Sequence, residues 1–444
     1  MDRRTFLRAT AIAGLASTAP WVFPRALKRT TAQDAVYRGP FWIFVSAAGG
    51  WDPRFMFDPI EDPEQNRMYT GVGSTGSIRY APIGLDYERL QWDPASGVAA
   101  HVLTAEQFLE RHGQRLAVVN GVDTTTNNHE GGSRAMSSGQ LGLGYPALGA
   151  LIAAANAPSM PMAFFSGGGY DFTGGHIPLT RVSNASAFSR IARPNEINAG
   201  SEDPALFHTQ ETMSRIERFQ RARTAALRDA QRLPTIETSM RDLLAARAST
   251  AVLDRFEMPE ETVDLAPGEV SDLESFMRQG QMLIAAFKSG LSATGSIRFG
   301  GFDTHGNHDR DQSRQVLKLY AGIDYLLAEA ERNGFGDELY VVATSDFGRG
   351  PRYNGENGNA GKDHWPITSM FALGPGIAGN RVVGATDDRQ LARAVDPDTL
   401  EVDDSGVKIG PGDVHRALRR IATMDDHELG QLYPLSGRDL NLFG

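Results

Sequence analysis

The hydrophobic positions of this chain are gathered into short runs that have the length of a β-strand. The runs do not alternate apolar with polar residues, as a strand with one face in water would. Uninterrupted runs of this kind predict strands that are covered on both faces. They lie at residues 41–46, 116–120, 162–165, 297–299, 339–343 and 370–373.

Helical patterns lie between these predicted strands. Residues 312–332 repeat apolar side chains along one stripe and end at an Asn-Gly pair, which is typical of a helix stop. Residues 271–287 also predict a helix, and a long charged stretch, 204–256, predicts helices broken at Pro234. We interpret residues 204–290 as a helical insertion that caps or flanks a site in a domain spanning 36–444. Strands that alternate with helices predict an α/β fold with a mainly parallel central sheet.

Composition narrows the classes of function. The chain has 444 residues, enough for one large core or two domains. Its 54 acidic residues outnumber 44 basic ones, giving a net charge of -10, and no basic stripe is present to neutralise phosphates. This balance argues against a nucleic-acid partner. The absence of cysteine excludes disulfides, thiolate ligands and a cysteine nucleophile.

The N-terminal residues 1–32 have the pattern of an export signal. Twin arginines and a Phe-Leu pair precede a modest apolar run at residues 9–19, which resembles a twin-arginine signal. An ordinary basic signal peptide is the alternative, and cleavage is expected after Ala32. The apolar run is too short to span a bilayer, and no later segment has transmembrane length. We therefore expect a periplasmic or extracellular protein that is carried by the twin-arginine export machinery.

Aspartates and histidines follow the predicted strands in three clusters. Because ligands of open α/β sheets bind at the carboxyl ends of the strands, these side chains are expected to converge. Oxygen and nitrogen donors without a thiolate suit zinc, manganese, magnesium or calcium. The sequence thus predicts a metal-dependent hydrolase site. The clusters are Asp303, His305 and His308; Asp346 and Arg349; and Asp363 and His364.

Single members of these clusters also have structural interpretations. Asp52, which follows the first predicted strand and two glycines, fits an Asx-turn as well as a ligand. We favour a metal role for Asp303 and for at least one of the two histidines that follow it. The Asp-Phe-Gly at Asp346 occurs in kinases, but the other kinase motifs are missing. His176, beyond a glycine-rich loop, and Asp363 are candidates for contacts with substrate.

The order of these motifs resembles the alkaline phosphatase superfamily. The closer resemblance is to the exported bacterial family called domain of unknown function 1501, often labelled sulfatase-like, and it covers nearly the whole mature chain. It implies an alkaline phosphatase-like three-layer sandwich. The motifs that carry it are Gly-Gly-x-Asp at Asp52, Gly-Gly-Phe-Asp-Thr-His at His305, Ser-Asp-Phe-Gly-Arg at Arg349 and Asp-His-Trp-Pro at His364.

The resemblance implies two divalent metal ions, with zinc favoured and manganese, magnesium or calcium as alternatives. Asp303 and His364 would hold the first ion together with one further histidine. The superfamily usually places that histidine four residues after the aspartate, a position that is Asn307 here. The choice between His305 and His308 therefore stays open.

Asp52 and Asp346 would hold the second ion. The superfamily commonly has a histidine after the latter aspartate, where this chain has Phe347, and His129 stands at the usual nucleophile position. We hypothesise that His129 supplies the missing imidazole, so that the second site consists of Asp52, His129 and Asp346. The nucleophile would then be a metal-activated water. The alternative chemistry has His129 accepting a phosphoryl group covalently.

Two arginines are candidates for binding an anionic substrate group, because a guanidinium matches phosphate or sulfate oxygens with paired hydrogen bonds. These are Arg349 and Arg134, although Arg134 fits a surface position equally well. The sequence therefore predicts an exported metal-dependent hydrolase that acts on a small anionic ester or a glycan-linked substrate, with His129 and Arg349 in catalysis. The alternative is a catalytically altered envelope protein that binds metal and an anion or glycan without turnover.

Overall fold

The structure is a computed structural model, and it describes residues 37–181, 190, 193–197, 204–248, 256, 263–266 and 268–444. The predicted export signal at residues 1–32 lies outside the described residues. Within the described part of the chain, no helix has both the length and the apolar composition needed to cross a bilayer.

An eight-stranded sheet forms the centre of the fold. All six strands predicted from apolar runs are confirmed, and two short edge strands, at 179–181 and 381–383, complete the sheet. The strands are β1 (Phe41–Ala47), β4 (Leu116–Asp123), β5 (Phe164–Gly167), β6 (Leu179–Arg181), β7 (Thr294–Phe299), β8 (Leu339–Ser345), β11 (Ile367–Leu373) and β12 (Arg381–Val383). Two further pairs lie outside this sheet: β2 (Gly73–Thr75) with β3 (Ile78–Tyr80), and β9 (Gly348–Tyr353) with β10 (Lys362–Trp365).

The strand order in the main sheet is β12-β4-β11-β8-β1-β7-β5-β6. Every neighbouring pair is parallel except the two made by β11, which runs antiparallel to β4 and β8. The prediction of a mainly parallel sheet is therefore confirmed. Since β1, β7 and β8 are adjacent and parallel, their carboxyl ends form one edge of the sheet.

Helices cover both faces of the sheet, which gives three layers. The described helices are α1 (Tyr87–Leu90), α2 (Ala105–His112), α3 (His129–Ser138), α4 (Leu148–Asn156), α5 (Gln210–Ala230), α6 (Pro234–Ala248), α7 (Ser271–Lys288), α8 (His308–Arg332), α9 (Pro411–Ile421) and α10 (Glu428–Leu432). Ile43 and Val45 of β1 pack in one core with α2, α7 and α8, and Trp42 packs in the opposite core with α4 and α9. Burial of each such side chain contributes about 1.5–3 kcal/mol, and this is why the runs lack polar residues.

The predicted insertion at 204–290 is corrected in its second half. Helix α7 lies within the sandwich, because its apolar side chains, including Leu273, Phe276 and Leu283, belong to the core beneath the sheet. Helices α5 and α6 pack against each other and are largely exposed, and a single residue of α5, Thr224, is buried.

Candidate metal centre

Four side chains meet beyond the carboxyl ends of β7 and β8, around the carboxylate of Asp303. Its Oδ1 atom lies 3.2 Å from Nε2 of His305 and 3.2 Å from Nε2 of His364. Its Oδ2 atom lies 3.6 Å from Nε2 of His129. One donor atom each from His129, Asp303 and His364 lies within 4.8 Å of the others, a spacing that could hold a metal ion. The two Nε2 atoms of His305 and His364 are 2.9 Å apart.

The other ring nitrogen of each histidine has an acceptor outside this cluster. We therefore place the protons on the three Nδ1 atoms, which leaves each Nε2 with an unshared lone pair aimed at the centre. Asp363, predicted to contact substrate, instead contacts His305. The Nδ1 acceptors are Asp346 Oδ2 for His129 at 2.6 Å, the Asn127 carbonyl for His364 at 2.9 Å and Asp363 Oδ1 for His305 at 3.3 Å.

The start of α3 positions His129. The Asn128 side chain accepts a hydrogen bond from the amide of Gly131 and so caps the helix. The helix approaches the end of β8 closely, since a Cβ added at Gly132 would lie 2.3 Å from the Asp346 carbonyl oxygen. This approach places the His129 ring against Asp346.

Phe347 forms an apolar wall of the cluster. It is fully buried, and its ring centroid lies 4.8 Å from that of His129 and 4.6 Å from that of His364. The hypothesis that His129 compensates for Phe347 therefore has a geometric basis, because the two rings are in contact. However, Nδ1 of His129 bonds to Asp346 while Nε2 faces Asp303, so His129 belongs to the Asp303 cluster.

The prediction that Asp52 binds a metal ion does not agree with its surroundings. The side chain is fully buried, and Oδ2 accepts hydrogen bonds from Nζ of Lys362 at 2.6 Å and from Nε2 of His308 at 3.0 Å. Its Oδ1 accepts from the amide of Arg54 at 2.9 Å, as in the Asx-turn alternative. Burial would raise the pKa of Asp52, but the Lys362 charge and the His308 hydrogen bond lower it to about 2. An ammonium group thus balances the carboxylate.

His308 is also directed away from Asp303. It is the first residue of α8 and is fully buried, and its Nδ1 lies 2.8 Å from Oγ1 of Thr304. Burial lowers the pKa of His308 to about 4, although the hydrogen bond to Asp52 opposes that change. Of the two histidines that the sequence left open, the geometry therefore places His305 beside Asp303 and His308 in the Asp52 network.

Arg349, predicted to bind an anionic substrate group, uses its donors within the protein. Its guanidinium is fully buried and donates to the carbonyls of Gly49, Gly50 and Lys362 as well as to Oδ1 of Asp303. Four of its five N–H groups are used in this way. Burial would raise the pKa of Asp303, yet the hydrogen bond from Arg349 helps to hold it below its ordinary value. Arg349 is therefore a positioning residue for the Asp303 carboxylate.

Two further predicted substrate contacts lie outside the cleft that opens beside the cluster. Arg134 donates to Glu130 at 2.9 Å, one turn earlier on α3. His176 is 2.7 Å from the Tyr433 hydroxyl, and burial lowers its pKa. Neither residue lines the cleft, so the geometry gives no support to a substrate contact for either, and both stay predictions.

The cleft has a volume of about 580 Å³ and contains an arginine that the sequence analysis missed. Arg298 is the exposed residue of β7, a strand whose other five residues are buried. A charged residue within a predicted buried strand was the available signal. Lys362, the partner of Asp52, was also missed. The cleft is lined by Ala48, Gly49, His129, Glu130, Ser133, Gly169, Tyr170, Arg298, Gly300, Gly301, Asp303 and Asp346.

Comparison with known proteins places the chain beside one uncharacterised family and several solved enzymes. Residues 42–439 match the family described as "Protein of unknown function (DUF1501)". No curated protein matches significantly. The lipoteichoic acid synthase LtaP from Listeria monocytogenes is similar at 9% identity over 91% of this chain and 76% of that chain, with a TM-score of 0.38. The alkaline phosphatase from the Antarctic bacterium TAB5 is similar at 10% identity over 78% and 94%, with a TM-score of 0.31.

Proposed function

The chain belongs to the DUF1501 family, as its motifs predicted. Because that family is described only as proteins of unknown function, we propose a function from the site itself. The proposed function is a metal-dependent hydrolase of phosphate or sulfate esters. The observation that carries this proposal is the convergence of three imidazole Nε2 atoms on one carboxylate. These residues come from segments that are far apart in the sequence, and the fold brings them together.

The donor set fits a divalent cation. With a proton on each Nδ1, the Nε2 lone pairs of His305 and His364 are 2.9 Å apart, and Nε2 of His129 faces the same Asp303 carboxylate at 3.6 Å. A cation bound among these lone pairs would relieve their mutual repulsion. Nε2 of His129 is buried and makes no hydrogen bond within the described structure. A buried polar atom of this kind is rare unless a ligand or ion satisfies it.

Three imidazoles and one carboxylate are a donor set that suits zinc. An ion held by His129, Asp303, His305 and His364 would supply Lewis acidity, which stabilises charge on ester oxygens and activates water. The protein's own contribution is to orient the donors. The Nδ1 acceptors, which are carboxylates for His129 and His305 and a backbone carbonyl for His364, fix the ring tautomers and orientations, as such partners do at known metal sites. Arg349 holds the Asp303 carboxylate in place.

We propose one ion in place of the two that the resemblance implied. Lys362 already balances the charge of Asp52, and Asp346 bonds to the protonated nitrogen of His129, so the carboxylates predicted for a second ion have other partners. The same observation favours a second candidate function, a binding protein that holds metal and an anion or glycan without turnover. Both candidate functions use the same metal site, and they differ only in whether the bound ester is hydrolysed.

Metal analysis tests the first part of the proposal. The purified protein is expected to contain about one divalent ion per chain, and His129→Ala and Asp303→Ala are expected to lose it. His176→Ala is the matched control, because this histidine is also half-buried but bonds to Tyr433 outside the cluster. Wild-type protein without metal, even after soaking with zinc, would contradict the proposal.

Turnover separates the two candidate functions. Chromogenic phosphate monoesters, phosphate diesters and sulfate esters would be offered to the zinc-loaded protein, with and without a chelator. Hydrolysis that a chelator abolishes and zinc restores supports the enzyme. Full zinc occupancy with no hydrolysis of any ester class supports the binding protein.

Export remains part of the proposal. We expect the twin-arginine pattern at residues 1–32 to direct the folded, metal-loaded protein to the periplasm or beyond. Replacing both arginines of the pair with lysine is expected to retain the protein in the cytoplasm, as fractionation of cells would measure. Unchanged export of this variant would exclude the twin-arginine route.

A further inference from the structure

Arg298 is an unpaired guanidinium beside the candidate metal centre. Its side chain is exposed at the carboxyl end of β7 and lines the same cleft as His129 and Asp303. Among the described residues it has no ion-pair or hydrogen-bond partner, whereas Arg349 and Arg134 both bond to carboxylates. The N–H donors of Arg298 are therefore available to a molecule that enters the cleft.

The backbone around Arg298 leaves room for a ligand to come close. Its Nη1 atom lies beside Gly300, because a Cβ added to that glycine would be 3.8 Å from the nitrogen. Gly169 lies just beyond the carboxyl end of β5, the parallel neighbour of β7, and an added Cβ there would meet nothing nearer than 3.8 Å. Both glycines line the cleft. The part of the cleft wall next to the guanidinium therefore consists of backbone atoms without side chains.

The cleft gains a net positive charge when a divalent ion is bound. The carboxylates of Asp303 and Asp346 are balanced by two guanidiniums, the buried Arg349 and the exposed Arg298. Glu130, a third carboxylate in the lining, is paired with Arg134. A divalent ion at the centre thus leaves the cleft positive, and an anion would be attracted to it over several ångströms.

We propose that Arg298 binds the tetrahedral oxyanion of the substrate, a phosphate or sulfate group, and that this binding requires the metal ion. Two adjacent N–H groups of a guanidinium match two oxygens of such an anion. The inference rests on the proposed function and names the residue that recognises its substrate. It replaces Arg349 and Arg134 in that role.

Isothermal titration of inorganic phosphate, and separately of inorganic sulfate, into the zinc-loaded protein tests this proposal. Arg298→Gln is expected to weaken binding of the preferred anion about 10- to 100-fold while zinc content stays at the wild-type value. Arg298→Lys is expected to recover part of the affinity, because it keeps the charge but not the paired donors. The control is Arg389→Gln, an arginine that is 79% exposed and outside the cleft lining.

The outcomes distinguish this inference from the proposed function. Tighter binding of phosphate than sulfate, or the reverse, identifies the ester class, provided that the binding depends on Arg298. Equal anion affinity in wild type and Arg298→Gln, or no anion binding by the zinc-loaded wild type, overturns the role of Arg298 alone. A wild-type protein that takes up no zinc overturns the metal site and this inference together.

Discussion

Removal of the Lys362 ammonium is expected to destabilise the protein more than most single substitutions. Lys362 and Asp52 are both fully buried, and their charged atoms are 2.6 Å apart. In Lys362→Met the carboxylate of Asp52 stays buried with His308 as its remaining charged or ionisable partner. Loss of one member of a buried pair costs about 3–5 kcal/mol, because the remaining charge is uncompensated.

A double-mutant cycle isolates the interaction free energy between Lys362 and Asp52. Asp52→Asn combined with Lys362→Met removes both charges, and a neutral replacement of a buried pair costs far less than a broken pair. The two substitutions are therefore expected to be non-additive, with a coupling free energy of about 3 kcal/mol that makes the double variant more stable than the sum predicts.

The assay is urea unfolding at pH 7 in the presence of a chelator, which removes any contribution from metal binding. Lys318→Met is the matched control: Lys318 is also almost buried, but its partner Asp272 is 37% exposed, so the remaining carboxylate can be hydrated. We expect a clearly smaller loss for this control. Strictly additive losses in the cycle, or a loss below about 1 kcal/mol for Lys362→Met, would refute the argument from burial.

The same variants examine the number of metal ions. Asp52→Asn is expected to retain the zinc content of the wild type, because Asp52 is bonded to Lys362 and His308 and not to the Asp303 cluster. Loss of an ion from this variant would restore the two-ion site that the resemblance implied.

Three further predictions concern the site and the acid stability of the fold. Asp346→Asn is expected to weaken zinc affinity about 10- to 100-fold, measured by chelator competition, because the ring of His129 loses its anionic partner; unchanged affinity would remove Asp346 from the site. Gly361→Ala is expected to lose zinc, since its Cβ would lie 1.9 Å from the carbonyl carbon of His305, whereas Gly358→Ala meets nothing and should keep it. Burial lowers the pKa of His415 to about 4, so the unfolded chain takes up a proton at a higher pH than the folded protein does. Stability should therefore fall by up to ~3 kcal/mol between pH 6.5 and 4, and His415→Gln should flatten the slope in urea titrations.

Much of the fold could be predicted from the sequence because each layer depends on a local pattern. Strands covered on both faces need uninterrupted apolar runs, and β1, β4 and β8 have them. The helix α8 was predicted from its apolar stripe and its Asn-Gly stop. The direction of β11 was not predicted, because an apolar run is the same whether the strand is parallel or antiparallel to its neighbour.

The sequence predicted which residues form the candidate site better than it predicted the contacts between them. Strand ends gather ligands at one edge, which is why Asp303 could be chosen from its position after an apolar run. His364 was chosen from its Asp-His-Trp-Pro motif, and it lies on β10 outside the main sheet. Sequence spacing does not show which way a loop turns, however. His305 and His308 are three residues apart, yet the start of α8 directs one toward Asp303 and the other toward Asp52.

The errors at Lys362, which was overlooked, and at Arg349, which was given a substrate role, share a physical cause. Each side chain pairs with a charge that is distant in sequence. Lys362 meets Asp52 across 310 positions, and Arg349 meets Asp303 across 46. A carboxylate that follows a strand looks like a metal ligand until its partner is known. Arg298 was missed because it lies within a strand and, among the residues that the structure describes, has no partner.

The two-stranded ribbon formed by β9 and β10 would connect release of the proposed metal ion to local unfolding. In this ribbon His364 pairs directly with Arg349, so one metal donor and the arginine that holds Asp303 lie on opposite strands of the same short ladder. Opening of the ladder would displace both at once, so an ion held by His364 and Asp303 would be released when the ribbon opens. We therefore expect amide hydrogen exchange at residues 348–353 and 362–365 to slow on zinc loading, and the rate of zinc loss to a chelator to match the rate of ribbon opening.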